Sequence, residues 1–182
     1  MLDALISSKT RIKLLLRLFL NPENTAYLRG LAEEFGESTN SVRVELNRFE
    51  KANMVTSASS GNKKMYRANT DHPLFGELQS ILLKYIGIDR VIESVTERLG
   101  DLEKVYLAGD YALGRDSGVI DLVFVGDIDK VYLLRLVEKA ESITGRKVRF
   151  LTYQSSEWDA QPVPLVTDFL LLWENGKRVK TA

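Results

Sequence analysis

Along the front of the chain, apolar residues recur at steps of three and four, which is the spacing of one face of an α-helix. The pattern predicts three amphipathic helices. The first runs from Ser8 to Leu20, the second is capped by Thr25 and ends at Gly36, and the third begins at Ser38. The stretch "VTSASSGNKKMYRAN" then places β-branched and aromatic residues on both sides of a Ser-Gly-Asn turn. We therefore expect a hairpin with strands near residues 55–58 and 64–68.

Two further helical patterns follow, in "HPLFGELQSILLKYIG" and "IDRVIESVTERLG". The first of them has an apolar stripe, made by Leu74, Leu78, Ile81, Leu82 and Tyr85. A stripe of this kind packs into the core of its own chain or forms the seam of a dimer, and the sequence leaves both interpretations open.

The remainder of the chain mixes strand and helix patterns. Buried strands are predicted at "EKVYLAGD", "VIDLVFVGD" and "RKVRFLTYQ". Helices are predicted at "KVYLLRLVEKAESITG", with Val131, Leu134, Val137 and Ala140 facing inward, and at the closing stretch "LVTDFLLLWENG". These elements predict a small α/β unit with a mixed sheet. The expected fold class is α+β, with a first domain at residues 1–70, connecting helices at 71–100 and a second domain at 101–182.

Charge is distributed unevenly, although the 182-residue chain has a formal net charge of zero. Residues 1–70 hold 11 basic and 7 acidic side chains, a balance of +4, which leaves −4 for the rest. A basic front half suggests a polyanionic partner. The chain has no cysteine and a single histidine, which excludes disulfides and argues against the usual zinc sites. The lack of cysteine leads us to expect a reducing, cytoplasmic setting. Charged residues interrupt the first apolar run, so we expect neither a signal peptide nor a membrane span.

The order of three helices and a basic-tipped hairpin resembles the winged helix-turn-helix domain of ArsR- and MarR-like bacterial regulators. The resemblance covers roughly residues 5–70 and rests on "LRGLAEEFGESTNSVRVELNRFEKANMV". It implies double-stranded DNA as the partner and a homodimer that reads paired half-sites. The expected DNA contacts come from the third helix, the hairpin and the second helix, and they are Ser38, Thr39, Asn40, Arg43, Asn47, Asn62, Lys63, Lys64, Arg67, Tyr27 and Arg29.

A second resemblance lies in "LAGDYALGRDSGVIDLVFVG". It is similar to the minimal nucleotidyltransferase fold of the DNA polymerase β superfamily, over about residues 101–175. The family pattern has Gly-Ser, a turn with a second glycine, and Asp-x-Asp on the next strand. Gly109 and Gly114 match the glycines and Asp121 matches the second acidic position. The nucleotide site that the resemblance implies, in vestigial form, consists of Gly109, Asp110, Gly114 and Asp121.

The departures from that pattern concern the metal ligands. Asp110 stands where the family has the serine, Val119 where it has the first acidic residue, and Arg149 where a third carboxylate is expected. Two-metal phosphoryl transfer needs the carboxylates to hold divalent cations, and one carboxylate of three remains. We therefore expect no catalytic residue, metal or cofactor, although Asp110, Asp116 and Asp121 are close in sequence and leave an unconventional metal site open.

The function expected from these features is sequence-specific DNA binding by a transcriptional regulator. Its second domain then serves sensing, dimerisation or partner binding, with a nucleotide or another small molecule as a possible effector. The alternative is an active Mg²⁺-dependent nucleotidyltransferase with the winged helix as a substrate adaptor. A third interpretation is a protein-interaction module that does not touch nucleic acid.

Overall fold

A computed structural model describes residues 2–89, 91–92, 100–160, 169–175 and 177–178. The chain divides into two compact units, Met1–Leu82 and Leu83–Thr181. None of the helices in the described ranges has the length and apolar character needed to cross a membrane.

The first unit combines helices with a small antiparallel sheet. Its elements are α1 (Leu2–Leu5), α2 (Lys9–Phe19), β1 (Ala26–Tyr27), α3 (Leu28–Phe35), α4 (Thr39–Lys51), β2 (Val55–Ser60) and β3 (Lys63–Ala68), and α5 (Phe75–Ile86) contains the division between the units. The strand order is β1-β3-β2, and both pairings are antiparallel. Buried side chains from α2, α3 and α4 form the core, where the Phe19 and Phe49 rings meet edge to face at 5.8 Å.

Local capping residues set the ends of these helices, as the sequence predicts. Ser38 Oγ accepts a hydrogen bond from the Ser41 backbone N–H at the start of α4. Gly36 ends α3 in the left-handed conformation with φ +65°, which a residue without Cβ adopts without strain. The prediction that Thr25 caps the second helix is wrong. Ala26 and Tyr27 are extended and pair with β3, so the helix begins only at Leu28.

The apolar stripe predicted on α5 is displaced from the face that the structure buries. Leu82 is buried, but Leu74 is 57% and Ile81 42% exposed, so the core interpretation does not hold for those two side chains. Their place on the inner face is taken by Phe75 and by Gln79, whose amide donates a hydrogen bond to the Leu20 carbonyl at 3.0 Å. The dimer seam stays a prediction. Of the next predicted helix, residues 88–89 and 91–92 are helical, and residues 90 and 93–99 lie outside the described ranges.

The second unit is built on a five-stranded mixed sheet. Its elements are β4 (Gly100–Ala108), α6 (Gly109–Ala112), β5 (Val119–Ile128), α7 (Lys130–Thr144), β6 (Lys147–Tyr153), α8 (Ser155–Ala160), β7 (Leu170–Glu174) and β8 (Lys177–Arg178). The order is β6-β5-β4-β7-β8, with β5 and β6 parallel and the other pairs antiparallel. The α+β class and the mixed sheet are confirmed.

Two predictions for this unit are wrong. On α7, Val131 and Leu134 are 65% and 54% exposed, because the buried face consists of Leu133, Leu136, Val137 and Ala140. The closing stretch is also not a helix where it is described. Leu170–Glu174 is a strand that pairs with β4, while residues 165–168 lie outside the described ranges. A short continuous apolar run fits a strand buried on both faces as well as it fits a helix, and here sheet pairing decided the outcome.

Candidate functional site

The outer face of α4 is the first candidate surface. Val42, Leu46 and Phe49 turn inward at helical spacing and are nearly inaccessible to solvent. The polar residues predicted to contact DNA are on the opposite side and are all exposed, namely Thr39, Asn40, Arg43 and Asn47, with the cap Ser38 also exposed. Val44 lies among them and is 42% exposed, an apolar side chain that the sequence analysis did not single out. The helical spacing of the sequence places Val44, the residue after Arg43, on the exposed side of the helix, and this spacing was the signal for it.

The tip of the β2–β3 hairpin is the second candidate surface. Ser60 pairs with Lys63, so Gly61 and Asn62 form a two-residue turn. The Lys63 ammonium lies 4.1 Å from the centroid of the Tyr27 ring, a distance typical of cation–π contacts. Tyr27 is partly buried, whereas Arg67 is exposed and donates to Thr56 Oγ1 at 3.3 Å.

The structure brings five of the predicted residues to one surface groove of about 470 Å³. They are Tyr27, Arg29, Asn62, Lys63 and Lys64. The Lys64 ammonium is 2.7 Å from Glu50 Oε1, and this hydrogen bond raises the pKa of Lys64. The same bond, with one from Ser57, lowers the pKa of Glu50. Glu50, which sequence reasoning missed, thereby ties the hairpin to α4.

A buried carboxylate fixes α4 against α2. Glu45 has a side chain only 7% exposed, and it accepts hydrogen bonds from Ser8 Oγ at 3.0 Å, from Arg11 Nε at 2.9 Å and from Arg48 Nη1 at 3.0 Å. Burial alone would raise the pKa of Glu45, but the hydrogen bonds from Arg11 and Ser8 and the charges of Arg11 and Arg48 outweigh it, so the pKa is lowered. In the sequence, Glu45 directly precedes the inward-facing Leu46. A charged residue beside the buried face of a helix is the sequence signal for a buried ion pair.

In the second unit, the glycine-rich turn follows the end of β4. Gly109 has φ +62°, and a Cβ there would lie 2.4 Å from Asp121 Oδ2, so a side chain at this position would displace the carboxylate. The sheet register places Asp121 opposite Ala108 on one side and opposite Arg149 on the other. The backbone of the turn therefore approaches the Asp121 side chain closely.

Arg149 engages that carboxylate with two hydrogen bonds. Its Nε lies 2.6 Å from Asp121 Oδ1 and its Nη2 lies 2.9 Å from Oδ2, a bidentate arrangement. The hydrogen bond and the charge of Asp121 raise the pKa of Arg149. Two pairs earlier in the register, Val119 is opposite Lys147. A guanidinium thus engages the Asp121 carboxylate, and a valine stands two residues before Asp121 on the same strand.

The other acidic residues of the turn do not complete a cation site. Asp116 accepts a hydrogen bond from the buried Tyr111 hydroxyl and is 2.9 Å from Arg146 Nη2, while Arg146 Nε donates to the Tyr111 oxygen at 2.6 Å. Burial and the hydrogen bond to Asp116 raise the pKa of Tyr111 far above its usual range. Asp110 is exposed on the short helix α6. Among the described residues, no group of three or more Asp, Glu, His or Cys side chains is arranged to hold a metal ion. The Mg²⁺ that the resemblance to nucleotidyltransferases implies does not fit the residues described around this turn.

Gly109, Asp121 and Arg149 line the polar end of a cavity of about 450 Å³. Of the four residues in the vestigial nucleotide site, Gly109 and Asp121 are thus together at this cavity, whereas Asp110 and Gly114 are not part of its lining. Gly114 instead continues the turn, with φ +75° and its N–H bonded to the Tyr111 carbonyl at 2.9 Å.

No protein-family model matches the sequence, and no curated protein matches it. Several solved structures are similar to parts of the chain. A putative nucleotidyltransferase from Sulfolobus solfataricus is 24% identical over 57% of this chain and 91% of that chain, with a TM-score of 0.39. A chain of the toxin–antitoxin MntA–HpeT is 18% identical over 48% and 72%, with a TM-score of 0.36. A protein from Archaeoglobus fulgidus is 19% identical over 54% and 99%, also with a TM-score of 0.36.

Proposed function

We propose that the chain is a sequence-specific DNA-binding transcriptional regulator. The first unit acts as a winged helix, with α4 in the major groove and the β2–β3 hairpin against the sugar–phosphate backbone. The second unit is a nucleotidyltransferase-like domain that serves regulation or assembly and not metal-dependent catalysis. The observation that carries the proposal is the continuous exposed face of α4, on which hydrogen-bonding side chains follow one another at helical spacing.

The chemistry of that face suits base edges. An asparagine such as Asn40 or Asn47 pairs with adenine through two hydrogen bonds, and an arginine such as Arg43 pairs with guanine in the same way. Val44 offers an apolar surface of the kind that contacts the thymine methyl group. Glu45, on the inner side, holds α4 to α2 and so keeps this face oriented.

The hairpin groove suits phosphate oxygens. Lys63 and Arg29 supply cationic groups at its rim, and Asn62 supplies an amide at the tip. Lys64 is already paired with Glu50, so we assign it first to holding the hairpin on α4 and only second to phosphate binding. Contacts of this kind release counterions, and affinity is then expected to fall steeply with salt.

The pairing of Asp121 with Arg149 argues against the enzymatic alternative. A nucleotidyltransferase needs its carboxylates free to hold divalent cations next to the triphosphate. Here the Asp121 carboxylate already has two charge-assisted hydrogen bonds. To bind Asp121, a metal ion would have to displace the Arg149 guanidinium, which is also positively charged, from the two carboxylate oxygens.

The test begins with selection of bound duplexes from a randomised double-stranded DNA pool with the full chain, followed by affinity measurements on the enriched sequence. We expect an enriched motif and a linear fall of log affinity with log salt concentration. Arg43→Ala should weaken binding of the enriched duplex by about 1–3 kcal/mol, roughly 5- to 150-fold. Arg135→Ala, which removes the same charge from an exposed position on α7, is the matched control and should bind as the wild type does. Absence of an enriched motif, or equal effects of the two substitutions, would refute the proposal.

A further inference from the structure

The cavity beside Asp121 has walls that differ from its polar end. Its volume of about 450 Å³ lies in the range of small-molecule sites. Its apolar lining residues include Ala108, Val123, Leu151, Tyr153 and Phe169, which we call the apolar wall. Two of these five are aromatic, and none carries a charge. Such a wall favours a flat ligand with little polar surface.

Leu151 is the part of this wall that water reaches most. It pairs with Val123 in the parallel β5–β6 register, yet it is 56% exposed, whereas Val123 is only 3% exposed. A leucine on a sheet face beside a cavity gains from being covered, because removal of apolar surface from water is favourable. A ligand seated in the cavity would contact both side chains.

The polar end of the cavity has no net charge. Asp121 and Arg149 are the two charged residues in its lining, and they neutralise each other through a bidentate pair. A guanidinium has five N–H donors, and Asp121 uses two of them. The remaining donors can bind an uncharged oxygen acceptor, but no surplus positive charge remains to balance a polyphosphate.

We propose that this cavity binds an uncharged, flat small molecule with one hydrogen-bond-accepting oxygen, such as an aromatic amide, and that it excludes nucleoside triphosphates. The ligand's ring system lies between the apolar wall residues, and its oxygen accepts a hydrogen bond from Arg149. This site belongs to the second unit alone and does not depend on DNA binding by the first.

The test uses the full chain and three probes: 2-naphthamide, 2-naphthoate and ATP with Mg²⁺. Binding is measured by saturation-transfer NMR and by tryptophan fluorescence, because the Trp158 ring lies 5.6 Å from the ring of Tyr153 and 5.8 Å from that of Phe169. We expect 2-naphthamide to bind more tightly than 2-naphthoate by roughly fivefold or more, because the neutralised Asp121–Arg149 pair offers no net positive charge to balance a carboxylate taken out of water. ATP should not compete with 2-naphthamide. Absence of 2-naphthamide binding, or competition by ATP, overturns the proposal.

Two variants locate the site. Leu151→Ser removes the exposed part of the wall, and Leu134→Ser is its matched control, because Leu134 is 54% exposed but lies on α7 outside the cavity lining. We expect only the first to weaken 2-naphthamide binding, with both variants retaining the wild-type far-UV circular dichroism spectrum. Equal affinities of the two variants would overturn the assignment. Asp121→Asn frees the guanidinium and should shift the preference toward 2-naphthoate, and an unchanged preference would contradict the role given to the ion pair.

Discussion

The buried carboxylate of Glu45 allows a quantitative test of how α4 is held in place. Glu45→Gln keeps the size of the side chain but replaces one acceptor oxygen with an amide donor. Glu45 accepts four hydrogen bonds, from Ser8, Arg11 and Arg48, and two of them come from Arg11. In the variant, an N–H group faces guanidinium or hydroxyl donors. The uncharged side chain also leaves the two arginines without their shared counterion.

The expected loss follows from the exposure of the partners. Breaking a fully buried ion pair costs about 3–5 kcal/mol, and a hydrogen bond to a charged group contributes about 1.5–3 kcal/mol. The Arg11 and Arg48 side chains are 33% and 58% exposed, so water compensates part of the loss. We therefore expect the free energy of unfolding at pH 7 to fall by about 2 kcal/mol.

The pH dependence has a defined sign. The pKa of Glu45 in the folded protein lies below its ordinary value of 4.5, so the contribution of the carboxylate is present above pH 4.5 and is lost as the pH falls through the folded pKa. The difference between wild type and Glu45→Gln should accordingly shrink below pH 4.5. Urea titrations at pH 7, 5 and 3, followed by far-UV circular dichroism, measure it. Both tryptophans, Trp158 and Trp173, are in the second unit, so their fluorescence serves as a separate readout of that unit.

Glu33→Gln is the matched control, because Glu33 is an exposed glutamate on α3. It should change the free energy of unfolding by no more than about 0.5 kcal/mol. If Glu45→Gln and Glu33→Gln had the same effect at pH 7, the buried carboxylate would not be what holds α4 to α2.

Three further substitutions test the two candidate sites. Full burial of a valine is worth about 1.5–3 kcal/mol, so covering the 42% of Val44 that is exposed should contribute about 0.6–1.3 kcal/mol to DNA affinity. One thymine-to-deoxyuridine replacement in the enriched duplex should weaken binding by the wild-type protein by about fourfold and leave binding by Val44→Ala unchanged. Equal responses of the two proteins would exclude the contact. Gly109→Ala should destabilise the second unit more than Gly118→Ala does, by at least about 1 kcal/mol in urea titrations followed by tryptophan fluorescence. Both glycines have positive φ, but only Gly109 lies against Asp121. Equal losses of stability in the two variants would refute that reason. Arg149→Asp places a second carboxylate opposite Asp121 and should bind Mn²⁺ more tightly than wild type in electron paramagnetic resonance titrations; unchanged binding would show that the guanidinium is not what excludes the metal.

The sequence predicts the parts of the fold that short-range signals control. Ser38 begins α4 and Gly36 ends α3 through contacts within a few residues, and both lie where the pattern places them. The start of α3 was missed because Ala26 and Tyr27 pair with a strand about forty residues later. The strand Leu170–Glu174 was missed for the same reason, since its partner is β4 and its apolar run has no period that distinguishes strand from helix.

The candidate sites also combine residues that a local pattern predicts with contacts that it does not. Exposed residues on α4 follow from helical periodicity around Val42 and Leu46. The contact between Asp121 and Arg149 depends on strand register across 28 positions of sequence, which no local pattern specifies. Glu45 depends similarly on Arg11, which is 34 positions away. The apolar wall of the cavity combines residues from β4, β5 and β6 with Phe169, the residue before β7, so its composition emerges only from the sheet order.

The edge strand β2 is mostly exposed, so the length of the hairpin can change with little effect on the core. After Val55, every residue of β2 is exposed, and most of them are serines. Burial therefore fixes the register of the β2–β3 pair only at its base, where Val55 pairs with Ala68; toward the tip the register depends on the two-residue turn and on Glu50, which binds Ser57 and Lys64. Under the proposed DNA-binding function, insertions at Gly61–Asn62 would move the lysines along the duplex backbone without changing the buried residues. The strength of the proposed hairpin contact could then change in evolution while the exposed face of α4 stays the same.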